Sequence, residues 1–262
     1  MIRAMMTAAS GMKAQQTQVD TIANNIANAN TVGFKKSELS FRALLYQTYR
    51  EPGAPTSQSQ RNPIGLQVGT GTEIAGSTKT FSQGVLEPTT GKLDLAIQGE
   101  GFFRVRLPSN EFRYTRDGSF HPDGQGTLVT TEGYIVDGAP TIPPDAIQIT
   151  IGDDGIVTTQ NSDGATPSQV GNIPLFRFPN AAGLKASGGN FYSETLASGA
   201  ATQGQPGLAG TGVIKQGYRE RSNVEVVDEL VGLILAQRNY EMNSRAIRAG
   251  DEMLQQVNQM LR

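Results

Sequence analysis

Residues 10–37, SGMKAQQTQVDTIANNIANANTVGFKKS, decide the architecture. Set in heptad register with the residues before them, one apolar seam reads Ile2, Ala9, Gln16, Ala23 and a second reads Met5, Met12, Val19, Ile26. Seven of those eight positions are apolar, which predicts a coiled-coil helix rather than a merely amphipathic one. The helix then runs into Asn28-Ala29-Asn30-Thr31-Val32-Gly33, where Asn and Gly favour a cap and a left-handed turn before Phe34. Asn24, Asn25 and Asn28 weaken the helix they sit in. Polar residues inside a packed helix array fix register at a cost in stability, and that role is expected of them.

A second helix is expected at the other end of the chain. From Val224 apolar residues recur every seventh position: Val226, Leu233, Tyr240, Ile247, Leu254 and Leu261, widened by Leu230, Ile234, Met253, Val257 and Met260. Ser222-Asn223 offers a cap, and Glu225, Asp228 and Glu229 lie near the positive end of the helix dipole. The plain alternative is that both helices dock on a globular core. Against it, both patterns run to the chain ends, and the joining segments are rich in Gly, Pro, Gln and Ser. The seams are therefore expected to meet each other and neighbouring copies, and to stay unfolded where no neighbour covers them.

Three motifs carry a resemblance. Ala23-Asn24-Asn25-Ile26-Ala27-Asn28-Ala29-Asn30-Thr31-Val32-Gly33-Phe34-Lys35 resembles the N-terminal signature of the bacterial flagellar rod and hook proteins. Ser222-Asn223-Val224-Glu225, with Gln237-Arg238-Asn239-Tyr240-Glu241, resembles their C-terminal signature. Leu93-Asp94-Leu95-Ala96-Ile97-Gln98-Gly99-Glu100-Gly101-Phe102-Phe103 is similar to a segment from the middle of those chains.

The resemblance implies a non-catalytic subunit that assembles with copies of itself into a rigid helical tube transmitting torque. It implies no cofactor, proximal rod and hook proteins as axial partners, and the surrounding L/P rings as a bushing. It also implies passage through the flagellar type III export apparatus without a cleaved signal, to a basal body reaching from periplasm to outer membrane. A YQTxRxPGA-type segment, present here at residues 46–54, marks the distal rod against the hook within this family. Tyr46, Tyr49, Arg50, Pro52 and Gly53 are its expected anchors, since aromatics and Arg dominate interface energetics. A proximal rod or hook subunit is the nearest alternative.

Composition narrows the remaining choices. The 262 residues are 37% hydrophobic, with 31 Gly, 13 Pro and no Trp, which suits many short strands and turns better than a compact enzyme. A net charge of −2 carries no footprint for nucleic acid or an anionic membrane. No run approaches the roughly 20 apolar residues of a membrane span. The absence of Cys excludes disulfide and thiolate chemistry.

The expected class is α+β: N- and C-terminal α-helices forming a coiled-coil layer, plus a mainly β central domain with many short strands. The domains expected are 1–30 with 224–262 as the helical layer, 31–70 with 205–223 as a connecting layer holding the extended 46–63 segment, and 71–204 as an outer β domain. Residues 37–47 are read as a helical turn or a strand, and 202–212 as a return linker. Strand-like runs are 79–81, 93–97, 102–107, 127–130, 133–136, 147–151, 155–158 and 174–178, with Asp-Gly turns between many of them.

No constellation of catalytic residues emerges. His121 stands alone before a proline, no G-x-S-x-G elbow is present, and Gly99-Glu100-Gly101 lacks the rest of either nucleotide fingerprint. Without Cys and with one His, a zinc site would rest on carboxylates. Asp153-Asp154-Gly155 lacks the ligand spacing of a calcium loop and reads as a turn. The one enzymatic alternative is carboxylate chemistry on the β domain, through residues such as Asp94 and Glu100, for example on cell-wall polymers.

Overall fold

The computed structural model describes residues 2–53, 63–161, 166–208 and 210–260. Two long helices bracket a chain of short strands: α1 is Ile2–Ala27 and α2 is Val226–Met260. The chain divides into two compact units. One holds Met1–Ile26, Ser37–Thr78 and Glu225–Arg262, and the other Ala27–Lys36 and Lys79–Val224.

In the first unit, α1 and α2 lie against each other, with Asp228 and Glu229 in the first turn of α2 where the helix dipole favours them. A single chain thus gives each end a partner, where the sequence predicts ends left unfolded without neighbouring copies. The rest of this unit is a β arm. Ser37–Ala43 pairs with Thr72–Lys79, and Tyr46–Arg50 runs antiparallel to Leu66–Gly69 with a bulge between Thr48 and Arg50. Residues 37–43 are therefore strand rather than helical turn. The polar run after Tyr46 begins as a paired strand before its expected linker; residues 54–62 lie outside the described residues.

The second unit is antiparallel β. Its largest sheet has seven strands, in the order Lys185–Gly188, Phe191–Ser193, Phe112–Thr115, Phe103–Arg106, Ile135–Val136, Leu128–Thr130, Phe120–Pro122. A three-stranded meander, Gln148–Ile151, Ile156–Gln160 and Ser168–Asn172, stands beside it in sequence. The expected return linker opens as a strand, Thr202–Gly204, paired with Leu175–Arg177.

The pleat sorts Phe102 and Phe103 onto opposite faces. Phe103 enters an aliphatic core with Leu95, Ile97, Val105, Leu128 and Ile214, all without solvent exposure. Phe102 enters an aromatic cluster with Tyr114, Phe176, Phe178 and Tyr192, its ring 5.7 Å from that of Phe178. Edge-to-face packing of this kind adds stability beyond the buried area.

Candidate functional site: an assembly surface

Antiparallel pairing of α1 and α2 is written in small residues. A Cβ placed on Gly11 would lie 2.9 Å from Asn243 Nδ2, one on Gly250 3.0 Å from Met5 Cγ, and one on Gly232 3.5 Å from Ile22 Cδ1. Ala8, Ala14, Ile22 and Asn25 on α1, and Ala236 and Gly250 on α2, are the buried positions. Helix separation follows the side chains at the contact, so this seam draws the two backbones close and leaves bulky residues elsewhere.

Of the heptad positions read from the sequence, Met5 meets Gly250 in that seam. Met5, Met12, Val19 and Ile26 are half-buried, whereas Ile2, Ala9, Gln16 and Ala23 are exposed. On α2, Leu233, Ile247 and Leu254 are half-buried, Val226 and Tyr240 are exposed, and Leu261 lies outside the described residues. A second stripe faces outward: Val227 is 73% exposed, Val231 53%, Leu235 56% and Met242 59%. Its spacing of four, four and seven residues keeps it on one face of a 3.6-residue helix.

Asn25 is bonded within its own unit. Its side-chain Oδ1 accepts from Ser37 N at 3.0 Å, and Nδ2 donates to Ser37 O at 3.0 Å and to Glu229 Oε2 at 3.2 Å. The carboxamide thus imitates a strand partner for Ser37 while holding the first turn of α2. Asn28 Oδ1 accepts from Thr31 Oγ1 at 3.2 Å in the turn that ends the helix, and Asn24 is exposed.

On the β arm, Tyr46 and Tyr49 are 60% and 59% exposed, and the Arg3 guanidinium stands 5.2 Å from the Tyr49 ring centre. Arg50 is exposed, Pro52 crowds Gly65, and Gly53 has φ +84°. Leu45, Ile64 and Leu66 extend this uncovered apolar surface.

The second unit sets the signature residues Gly33 and Phe34 beside an ion cluster that the sequence does not announce. Gly33 adopts φ +68° and donates its N–H to Glu220 O at 2.8 Å, and Phe34 packs with Ala29 and Val224. Lys35 Nζ donates to Glu220 Oε1 at 2.5 Å and to Ser82 O at 2.7 Å. Arg116 reaches Glu220 Oε2 at 3.3 Å and Gly99 O at 2.8 Å, and Gly84 N–H also donates to Glu220.

All three charged side chains are buried, so two cations share one carboxylate. Burial pushes the Lys35 ammonium and the Arg116 guanidinium below their ordinary ranges, against the attraction of Glu220. Arg116 Nε has no hydrogen-bond acceptor. The available signal was Lys35 itself, a charge adjoining buried Phe34 in the N-terminal motif.

The carboxylates of the enzymatic alternative are each held by arginine. Asp94 accepts from Arg219 at 3.0 Å and from Thr89 Oγ1 at 2.6 Å, and Glu100 accepts from Arg177 Nε at 2.9 Å. His121 is exposed in the edge strand Phe120–Pro122. Among the described residues no group of three or more His, Cys, Asp or Glu is placed to hold a metal, and no helix is long and apolar enough to cross a membrane.

Three family descriptions match: flagellar basal body rod protein at residues 5–35, flagellar hook protein FlgE/F/G D1 domain at 96–159, and flagellar basal body rod FlgEFG protein C-terminal at 215–260. The chain is 46% identical to the flagellar basal-body rod protein FlgG of Borreliella burgdorferi, with both chains covered completely. It is 46% identical to that of Caulobacter vibrioides over 99% of each chain, and 41% identical to that of Bacillus subtilis over 98% of each. The relatives at 41–46% identity are named for the rod, so the hook alternative is not favoured. The chain belongs to the flagellar basal-body rod protein FlgG family, whose members are structural subunits of the basal body that self-assemble and associate axially with other rod and hook components, not enzymes.

Proposed function

We propose that this protein builds the distal rod, a rigid helical tube that carries motor torque to the hook. The observation that carries the reading is the outward stripe of Val227, Val231, Leu235 and Met242, left bare because the helices meet through small residues instead. Contiguous exposed apolar surface marks an interaction site. Unlike surfaces of identical subunits generate an open helical assembly when the rotation does not close.

In this reading the terminal helices form one layer of the tube through the seams containing Ile2, Met5, Ala9, Met12, Val19, Ala23 and Ile26 and their counterparts on α2. Residues 31–70 with 205–223 connect that layer to a β domain of 71–204. Tyr46, Tyr49 and Arg50 lie against adjacent subunits and stiffen the tube, and Asn24, Asn25 and Asn28 with Gly33 and Phe34 hold the helix ends in register. The L/P rings surround the tube as a bushing, and the subunits arrive through the flagellar type III export apparatus without a cleaved signal.

Electron microscopy of basal bodies from cells lacking this protein tests the reading. Rods should stop short of the outer-membrane ring and carry no hook. Complete rods bearing hooks would refute the distal position.

A further inference from the structure

The two helices do not end together. Gly11 meets Asn243 and Gly250 meets Met5, which fixes an antiparallel register. Among the described residues α1 begins at Ile2, three positions before Met5, whereas α2 runs ten positions past Gly250 to Met260. About two turns of α2 therefore overhang the start of α1. We propose that this overhang, through Met253, Val257 and Met260, seats in the groove between the two helices of a second copy of the chain. The inference deepens the rod reading above and rests on its layer of terminal helices.

Apolar spacing is the first argument. Met253, Val257 and Met260 are 48%, 42% and 86% exposed. Steps of four and three residues set them on one helix face, the spacing of coiled-coil knobs. Gly250 is the last buried residue of α2 among those described, so the single chain leaves these knobs bare.

The receiving side is a groove of about 510 Å³, lined by Gln16 and Val19 of α1 and by Gln237, Tyr240 and Glu241 of α2. Its chemistry matches the overhang. Residues 253–260, Met-Leu-Gln-Gln-Val-Asn-Gln-Met, carry no charge. The groove has one carboxylate, Glu241, with Arg245 Nη2 3.9 Å away. Contact therefore buries no unpaired ion, and the amides on both sides offer donors and acceptors to each other.

Placement is the third argument. Met253 follows Met242 by eleven residues, close to three full turns, so the overhang continues the bare stripe of α2. Tyr240 precedes Met242 by two residues, about 160° round the same helix. Knobs and groove thus lie on opposite sides of α2. Unlike surfaces so placed join copies head to tail rather than as a closed pair, in keeping with a family whose members self-assemble.

The experiment is disulfide trapping in assembled rods, and a chain without Cys gives it a clean background. The double variant Tyr240→Cys with Val257→Cys replaces the native copy in cells. Its two positions lie roughly 26 Å apart along one helix, so no bridge can form within a chain. Mild oxidation of isolated basal bodies should give a ladder of dimers, trimers and higher species, absent from either single variant. Gln237→Cys with Met260→Cys provides a second pair should the first not complete rods. Abundant dimers from Val257→Cys alone would mean that two overhangs meet each other, and would overturn the groove contact. An adduct of Tyr240→Cys alone with a chain of different mass would give the groove to another protein, and would overturn it equally. Absence of a ladder from both pairs also overturns it; where those rods are complete and carry hooks, the distal-rod reading stands without it.

Discussion

Lys35 Nζ stands 2.5 Å from Glu220 Oε1, with neither side chain reaching solvent. The pair ties residues 33–36 to the strand Tyr218–Glu220, and Arg116 adds a third contributor to the same carboxylate. Replacing Glu220 by Gln would leave two cations buried around a neutral amide. The expected loss is about 3–5 kcal/mol, because removing one partner exposes the full burial cost of the others. Lys35→Met should cost less, since it removes the excess cation and keeps the Arg116–Glu220 pair. Urea unfolding followed by near-ultraviolet circular dichroism of the aromatic cluster measures both. Equal losses would show that the cluster is not acting through charge.

Gly33 turns the chain toward this cluster. Its φ of +68° strains any other residue, and a Cβ there would fall 2.6 Å from Asp117 N, a backbone atom that cannot swing away. Gly133 shares the left-handed conformation, at φ +86°, with nothing within 4 Å of its notional Cβ. Gly133→Ala should therefore cost about 1 kcal/mol of strain alone. Gly33→Ala should cost clearly more in the same unfolding experiment. If the two variants proved equal, close approach to Asp117 would not be what requires glycine.

The sequence made some of this readable and hid the rest for physical reasons. Heptad spacing located both helices, because a sustained period survives any detail of packing. The buried positions of α1 include the small Ala8 and Ala14, while the larger Met5 and Met12 are half-buried, Met5 against Gly250. Apolar size marks a burial candidate, whereas close helix contact selects for smallness, and the two criteria point to neighbouring stripes. Strands such as Lys185–Gly188 and Thr202–Gly204 escaped for a related reason: their residues are mostly exposed, so no apolar alternation records them. The ion cluster is non-local. Lys35, Arg116 and Glu220 are brought together by tertiary folding, and nothing in the spacing announces that.

Alkaline pH tests the aromatic cluster. Burial holds the Tyr192 phenol far above its ordinary value of 10.0, more than the opposing pull of Arg116 lowers it. Above pH 10 the unfolded chain loses this proton while the folded chain keeps it. The folded state then binds more protons, so its stability, complete below that pH, falls as pH rises, by up to about 1.4 kcal/mol per pH unit. Lys35 and Lys79, lowered by burial from 10.5, act with opposite sign: the unfolded chain binds the extra proton, and stability rises with pH below that value. Tyr192→Phe removes only the falling contribution. Its unfolding midpoint in urea should decline less steeply than that of the unsubstituted protein above pH 10, and parallel curves would place the phenol in solvent.

The two faces of α2 should separate in function. Gly250 is buried with its notional Cβ 3.0 Å from Met5, so Gly250→Leu forces the helices apart. The substitution raises intrinsic helix propensity by roughly 0.8–1 kcal/mol, so any loss of helix must come from packing and not from the residue's own preference. Far-ultraviolet circular dichroism of dilute protein should show reduced helix content and amide exchange should quicken near Met5. Val231 is 53% exposed on the bare stripe, and Val231→Ser removes apolar surface of which the larger share faces solvent. It should leave the dilute protein's spectrum and amide protection unchanged, yet fail to complete rods when it replaces the native copy in cells. If Val231→Ser unfolded the helices, the stripe would belong to the fold of the single chain. If it completed rods normally, the stripe would lie outside the subunit contacts, and the seam at Met5, Met12, Val19 and Ile26 would become the surface to test.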